Sequence, residues 1–175
     1  IETRNYAEKI GLVPKKSFTK YTDIERDVLV WVLSASPRFE LNAYTWWFPI
    51  VGRVPYKGFF DKKDALKEFN RLKNLEYDVY LRPSAAFSTL GWFNDPLLST
   101  TLAYEESSIV NTVIHEISHN TIWFKNQVSF NETMAHVLGS LGGIHFYREK
   151  EGKNSINASK IEKELKEDIL FAKFI

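Results

Sequence analysis

The chain has 175 residues, of which 44% are hydrophobic and 15% aromatic, enough to bury a substantial core and too apolar for an intrinsically disordered segment. Its 23 Lys and Arg nearly balance 22 Asp and Glu, so no basic field spans the sequence to recruit nucleic acid or anionic lipid. Cysteine is absent, which excludes disulfides, thiolate ligands and thiol nucleophiles and leaves His, Asp and Glu as the metal-binding side chains.

No Gly/Pro/Ser-rich linker divides the chain, and residues 1–175 read as a single domain. The longest apolar run, about Val28 to Ala35, is too short to cross a bilayer. The chain starts at Ile1 with no basic-then-apolar segment behind it, as expected where a leader has been removed upstream.

Thr22-Asp23-Ile24-Glu25 has capping-box spacing, and Ile24, Val28, Leu29, Val32 and Leu33 follow at helical intervals, so a helix is expected from Ile24 to Ser36, stopped by Pro37. From Phe39 to Phe60 aromatic and β-branched residues, broken by Pro49, Gly52, Pro55 and Gly58, predict short strands and turns. Asp61 then opens a helix with Ala65, Leu66, Phe69 and Leu72 on its buried face. Tyr77 to Leu81 alternates as a half-buried strand does, and Ala85 to Leu90 reads as another strand before a turn at Gly91.

Ser107 or Ser108 is placed to cap the next helix, whose Ile109, Val110, Val113, Ile114 and Ile117 are too apolar for a surface helix. After a short loop at 126–129, a further helix is expected from about Phe130 until Gly142-Gly143 weakens it. Beyond Ser159 an amphipathic helix sets Ile161, Leu165, Ile169, Leu170 and Phe174 on one side.

The apolar helix carries His115-Glu116-Ile117-Ser118-His119, an H-E-x-x-H sequence. Residues four apart on a helix share a face, so both imidazoles can reach one zinc ion at about 2.0–2.1 Å. Glu116 lies about 100° around the helix from His115, where its carboxylate can accept a proton from the attacking water. A catalytic zinc takes a third protein ligand and keeps one open position. The metzincin route to that ligand requires Gly and His where Ile122 and Lys125 stand. Glu132, thirteen residues after His119 and in the first turn of the returning helix, is the third ligand expected. It is also the last residue of Ser129-Phe130-Asn131-Glu132, a capping-box pattern that would tie its side chain to a backbone N–H instead.

His136, one turn after Glu132, stands where thermolysin-like sites offer a carboxylate to orient a ligand imidazole; it is read as an orienting or a packed core histidine. His145 is a candidate oxyanion stabiliser, and Tyr56 is another, with packing as its plainer role. Asn131-Glu132-Thr133 matches the N-glycosylation pattern, but a glycan there would obstruct the metal helix, so the match is read as coincidence. An exopeptidase would need a carboxylate for the free α-amine, for which Asp61, Asp95, Glu105 and Glu106 are candidates.

The sequence resembles the bacterial predicted aminopeptidases, an envelope-associated, zincin-like family. The resemblance rests on the stretch from Tyr21 to Trp31, on Trp47-Phe48-Pro49-Ile50-Val51-Gly52, Pro55-Tyr56-Lys57-Gly58-Phe59-Phe60, Asp78-Val79-Tyr80, Ser88-Thr89-Leu90-Gly91-Trp92-Phe93 and Asp95-Pro96-Leu97-Leu98-Ser99, together with the H-E-x-x-H and Phe130-Asn131-Glu132. It implies a zinc peptidase with a periplasmic or lipid-anchored location, any lipid-bearing cysteine lying upstream of Ile1. Ser88, Thr89, Leu90 and Gly91 are then candidates for an edge strand that pairs with substrate backbone. The fold expected is α+β and zincin-like: a small twisted mixed sheet packed on the H-E-x-x-H helix, with further helices. The reaction expected is hydrolysis of a peptide bond in a peptide or protein, with Zn2+ as cofactor. The alternatives are a zincin-fold binding protein with no metal or a structural one, and a hydrolase of non-peptide amides.

Overall fold

The computed structural model describes residues 1–25, 28–49, 52–84 and 95–174. Among these, five α-helices and seven short strands form two compact units. Unit 1 comprises Ile1–Asp23, Ser88–Phe124 and Ser129–Ile175, and unit 2 comprises Ile24–Phe87 and Lys125–Val128. The mixed α+β content agrees with the sequence reading. The strands, however, lie in three small sheets instead of one mixed sheet, because Pro and Gly interrupt the extended segments before longer ladders can form.

Unit 2 is built on β2 (Val30–Pro37), which pairs antiparallel with β5 (Lys57–Phe59) on one side and β6 (Tyr77–Ser84) on the other. Over residues 30–36 the helix expected from Ile24 to Ser36 is therefore corrected to a strand. Val30, Leu33 and Ala35 of β2 are buried, and eight consecutive cross-strand pairs with β6 satisfy its backbone. A second antiparallel pair joins β3 (Trp46–Phe48) to β4 (Gly52–Val54). Gly52 lies at φ +83, and a Cβ there would fall 1.9 Å from Asn126 Oδ1, so glycine is required on both counts.

Helix α2 (Lys62–Asn74) starts where expected, with the Asp61 carboxylate accepting from the Lys63 N–H at 2.7 Å. Ala65 and Leu72 are fully buried and Phe69 packs on the same core; Leu66, expected on that face, is 40% exposed. Leu33, Ala35, Trp46 and Leu72 form the centre of this unit, where a buried Leu contributes about 1.5–3 kcal/mol. Glu68 joins helix to core by accepting from Trp46 Nε1 at 2.9 Å and from Arg71 Nε and Nη2 at 2.7 and 2.8 Å. That fork of donors holds the Glu68 carboxyl at about 2, well below its ordinary range, against a partial burial that works to raise it.

Unit 1 is mainly helical. Helix α1 (Glu2–Lys9), which the sequence pattern did not signal, packs on α3 (Glu106–Thr121) through Ala7, Val113 and Ile117. The two-residue strands β1 (Tyr21–Thr22) and β7 (Leu97–Leu98) pair in parallel, and a 3₁₀ turn (Thr101–Ala103) leads into α3. The capping residue of α3 is Glu105, with no side-chain cap bond; Ser107, expected as a cap, lies buried inside the first turn. The acidic Glu106 at that end complements the helix dipole instead.

Helix α4 (Val128–Glu151) starts two residues before the expected position and runs straight through Gly142-Gly143. The glycines are there for proximity. A Cβ at Gly142 would lie 3.0 Å from Ile114 Cγ2, and one at Gly143 would lie 2.9 Å from Ile161 Cδ1. Close approach to neighbouring helices thus offsets the roughly 1 kcal/mol that each glycine costs a helix. Helix α5 (Ile156–Phe174) buries Ile161 and packs Leu165 against Val110, Ile114, Ile144 and Tyr147, whereas Ile169, Leu170 and Phe174 are exposed. None of the described helices is long and apolar enough to cross a membrane.

Candidate metal centre

Helix α3 presents one polar ridge on an otherwise apolar cylinder. Val110, Val113, Ile114 and Ile117 face the core, and Ser118 returns its hydroxyl to the Ile114 carbonyl at 2.8 Å, which satisfies that buried group. His115 and His119 stand one above the other, their rings at 85° and their Nε2 atoms 3.2 Å apart. His119 is 3% exposed. Asn120, beside it, donates to Ser17 Oγ at 3.1 Å, which ties the 14–20 segment to the end of α3.

Glu132 arrives from the first turns of α4. Its Oε2 lies 3.4 Å from His115 Nε2 and 3.7 Å from His119 Nε2. The capping-box alternative for this residue is corrected: α4 begins at Val128, so Ser129 is already inside the helix and not its cap. Glu116 offers a carboxylate oxygen within 4.8 Å of both imidazoles. Burial works to raise the Glu132 pKa, but the two imidazoles outweigh it and hold the carboxyl at about 2. Burial likewise works to lower the His115 pKa; contact with Glu132 and the charges of Glu116 and Glu132 reverse this and leave it raised.

The connection between the two helices aims Glu132. After α3, Ile122 turns into extended backbone and Asn126 adopts a positive φ of 61, a conformation that Asn tolerates. Asn131, fully buried, then accepts from the Phe124 N–H at 2.9 Å and donates to the Phe124 carbonyl at 2.7 Å. Its amide nitrogen is thereby engaged inside the protein, which gives a physical reason for setting aside the glycosylation pattern. The sequence reading missed this clamp, although a buried-type polar residue directly before a ligand candidate was a signal for it. Trp123 was missed too; its ring packs edge-on against His119, centroids 5.4 Å apart.

His136 does not orient a ligand imidazole: its Nε2 lies 3.0 Å from Asp168 Oδ2 of α5, on the surface, because the next helix brings a carboxylate to it. His145 is exposed on the same unbroken α4, thirteen residues or about 20 Å along the axis from Glu132, too far for an oxyanion role there. Tyr56 is half-buried and belongs to unit 2. Ser88, Thr89, Leu90 and Gly91, with the strand expected from Ala85 to Leu90, fall outside the described residues. Of the carboxylates considered for an α-amine, Asp61 caps α2 and Glu105 pairs with Lys160 at 2.8 Å.

A family model described as "Putative aminopeptidase" aligns with residues 1–175. No curated protein and no solved structure matches the chain. Because the family model covers the whole sequence, the protein belongs to the family so described, the Putative aminopeptidase family.

Proposed function

We propose that the chain is a zinc-dependent peptidase of the thermolysin-like kind, zincin-like in fold, in which His115, His119 and Glu132 would hold the metal. The observation that carries this reading is the triangle of donor atoms. Four ligands arranged tetrahedrally at about 2.0–2.1 Å from zinc lie about 3.3–3.4 Å from one another. The three donor separations here are 3.2, 3.4 and 3.7 Å. Two imidazoles and a carboxylate are also the donor set of a catalytic zinc site with one open position.

A zinc ion held there by His115, His119 and Glu132 would supply Lewis acidity toward the substrate carbonyl and the attacking water. The remaining work falls to side chains. Glu116 accepts the proton of the attacking water at its carboxylate and passes it to the leaving amine. Glu132 is a carboxylate within reach of both imidazoles and so is available as the third donor. His119 is shielded from solvent, and the Trp123 ring beside it limits how far the imidazole can tilt.

A second reading has one observation in its favour: 3.2 Å between Nε2 atoms also fits a hydrogen bond between the two imidazoles, as in a metal-free binding protein. Elemental analysis of the purified chain, with peptide digestion before and after chelation and after zinc is restored, decides between them. Stoichiometric zinc and chelation-sensitive cleavage support the peptidase. Absence of metal with full folding supports the second reading.

A further inference from the structure

Helix α4 meets α3 at Gly139, seven residues and two turns beyond Glu132 on the same face. A Cβ built on Gly139 would lie 2.4 Å from Asn111 Oδ1, 2.9 Å from the Asn111 main-chain oxygen and 3.2 Å from His115 Cβ. The same α4 therefore approaches His115 at two points, at Gly139, where a side chain would meet its Cβ, and at Glu132, whose carboxylate lies near its Nε2. Ala135, the small residue between these contacts, is fully buried.

We infer that Gly139 is the positioning residue for the third metal donor: by having no side chain it sets the α3–α4 separation at which Glu132 reaches His115 and His119. The inference rests on the zinc reading above and deepens it. An ordinary carbon contact begins near 3.4 Å, so a methyl group at 139 moves the backbone there by about half an ångström. Zinc–ligand distances tolerate only about 0.2 Å. The Asn111 side chain can rotate away from the new methyl, but its main-chain oxygen, fixed within α3, cannot. Gly142 on the same helix is different, since its nearest neighbours are the Ile114 Cγ2 and Cδ1 atoms of a side chain that can repack.

The test compares zinc and cobalt affinity, by chelator competition and by the visible spectrum of the cobalt-loaded protein, in the unsubstituted chain, Gly139→Ala and Gly142→Ala. Circular dichroism reports folding in each. Gly139→Ala is expected to weaken metal at least tenfold and to alter the cobalt spectrum at unchanged helix content, with Gly142→Ala staying within twofold of the unsubstituted chain. Should Gly139→Ala fail to fold, Asn111→Ala combined with Gly139→Ala removes the side-chain clash and retains the main-chain one. Asn111→Ala alone is its control. Unchanged affinity in the folded 139 variants, or equal loss at 142, overturns the role of Gly139 and leaves the zinc reading standing. No metal binding by the unsubstituted chain overturns both.

Discussion

The side chain of Asn131 and the main chain of Phe124 hold each other by two hydrogen bonds, at 2.9 and 2.7 Å, directly before the carboxylate that meets His115 and His119. The clamp fixes the return of the chain after α3. Asn131→Ala leaves both Phe124 groups without these partners and is expected to destabilise the protein by about 2 kcal/mol. Denaturant titration measures this, and a parallel zinc titration should show weaker binding. A variant as stable as the parent would mean that the clamp is incidental.

The roles assigned at the centre separate by what each substitution spares. Glu116→Gln should retain stoichiometric zinc and lose about 10²–10⁴-fold in peptide turnover, because only the proton acceptor is removed. His119→Ala and Glu132→Ala should lose both metal and turnover. Elemental analysis paired with a peptide digest reads both quantities, and unimpaired cleavage by the Gln variant would refute Glu116 as base.

Trp123 gives the centre an optical reporter, since its ring lies 5.4 Å from that of His119. Adding Co2+ or Cu2+ to the zinc-free chain should quench tryptophan fluorescence, and Trp123→Phe should remove most of that quenching while the other four tryptophans remain. Equal quenching in the Phe variant would place the ion away from His119.

Unit 2 carries a pH dependence with a defined sign. Glu68 has a folded pKa of about 2 against an ordinary 4.5, owing to Arg71 and Trp46. A depressed carboxylate contributes stability that is fully present above its unfolded pKa and is lost as pH falls through the folded one. Denaturation followed by near-ultraviolet circular dichroism should show this loss between about pH 4.5 and 2, and Glu68→Gln should flatten it, with about 2 kcal/mol lost at neutral pH.

Local signals were legible wherever local physics decided. Asp61 announces α2 because its carboxylate has a single N–H to reach, and H-E-x-x-H brings two imidazoles together because helical pitch alone does so. Val30 to Pro37 was not legible. Its apolar residues fit both a helical and a two-residue period, and the deciding factor was pairing with β6, some fifty residues away. Gly142-Gly143 misled for a related reason: a residue that weakens an isolated helix is readily accommodated in one packed this closely on Ile114 and Ile161. Glu132 could be named from its spacing, whereas the Asn131 clamp and the Gly139 contact depend on the path of a loop and the distance between two helices, neither of which is written in any one segment.

Unit 1 is assembled from three separated stretches, and His115 and His119 come from the second while Glu132 comes from the third. As the chain leaves the ribosome, unit 2 can consolidate from nearly contiguous residues, but the donor triangle closes only once α4 has emerged. A nick or stop anywhere in 125–128 would release a piece that still displays both imidazoles and has lost their acidic partner. On the proposed zinc reading, competence to hold an ion would be conferred on the nascent protein in one late step.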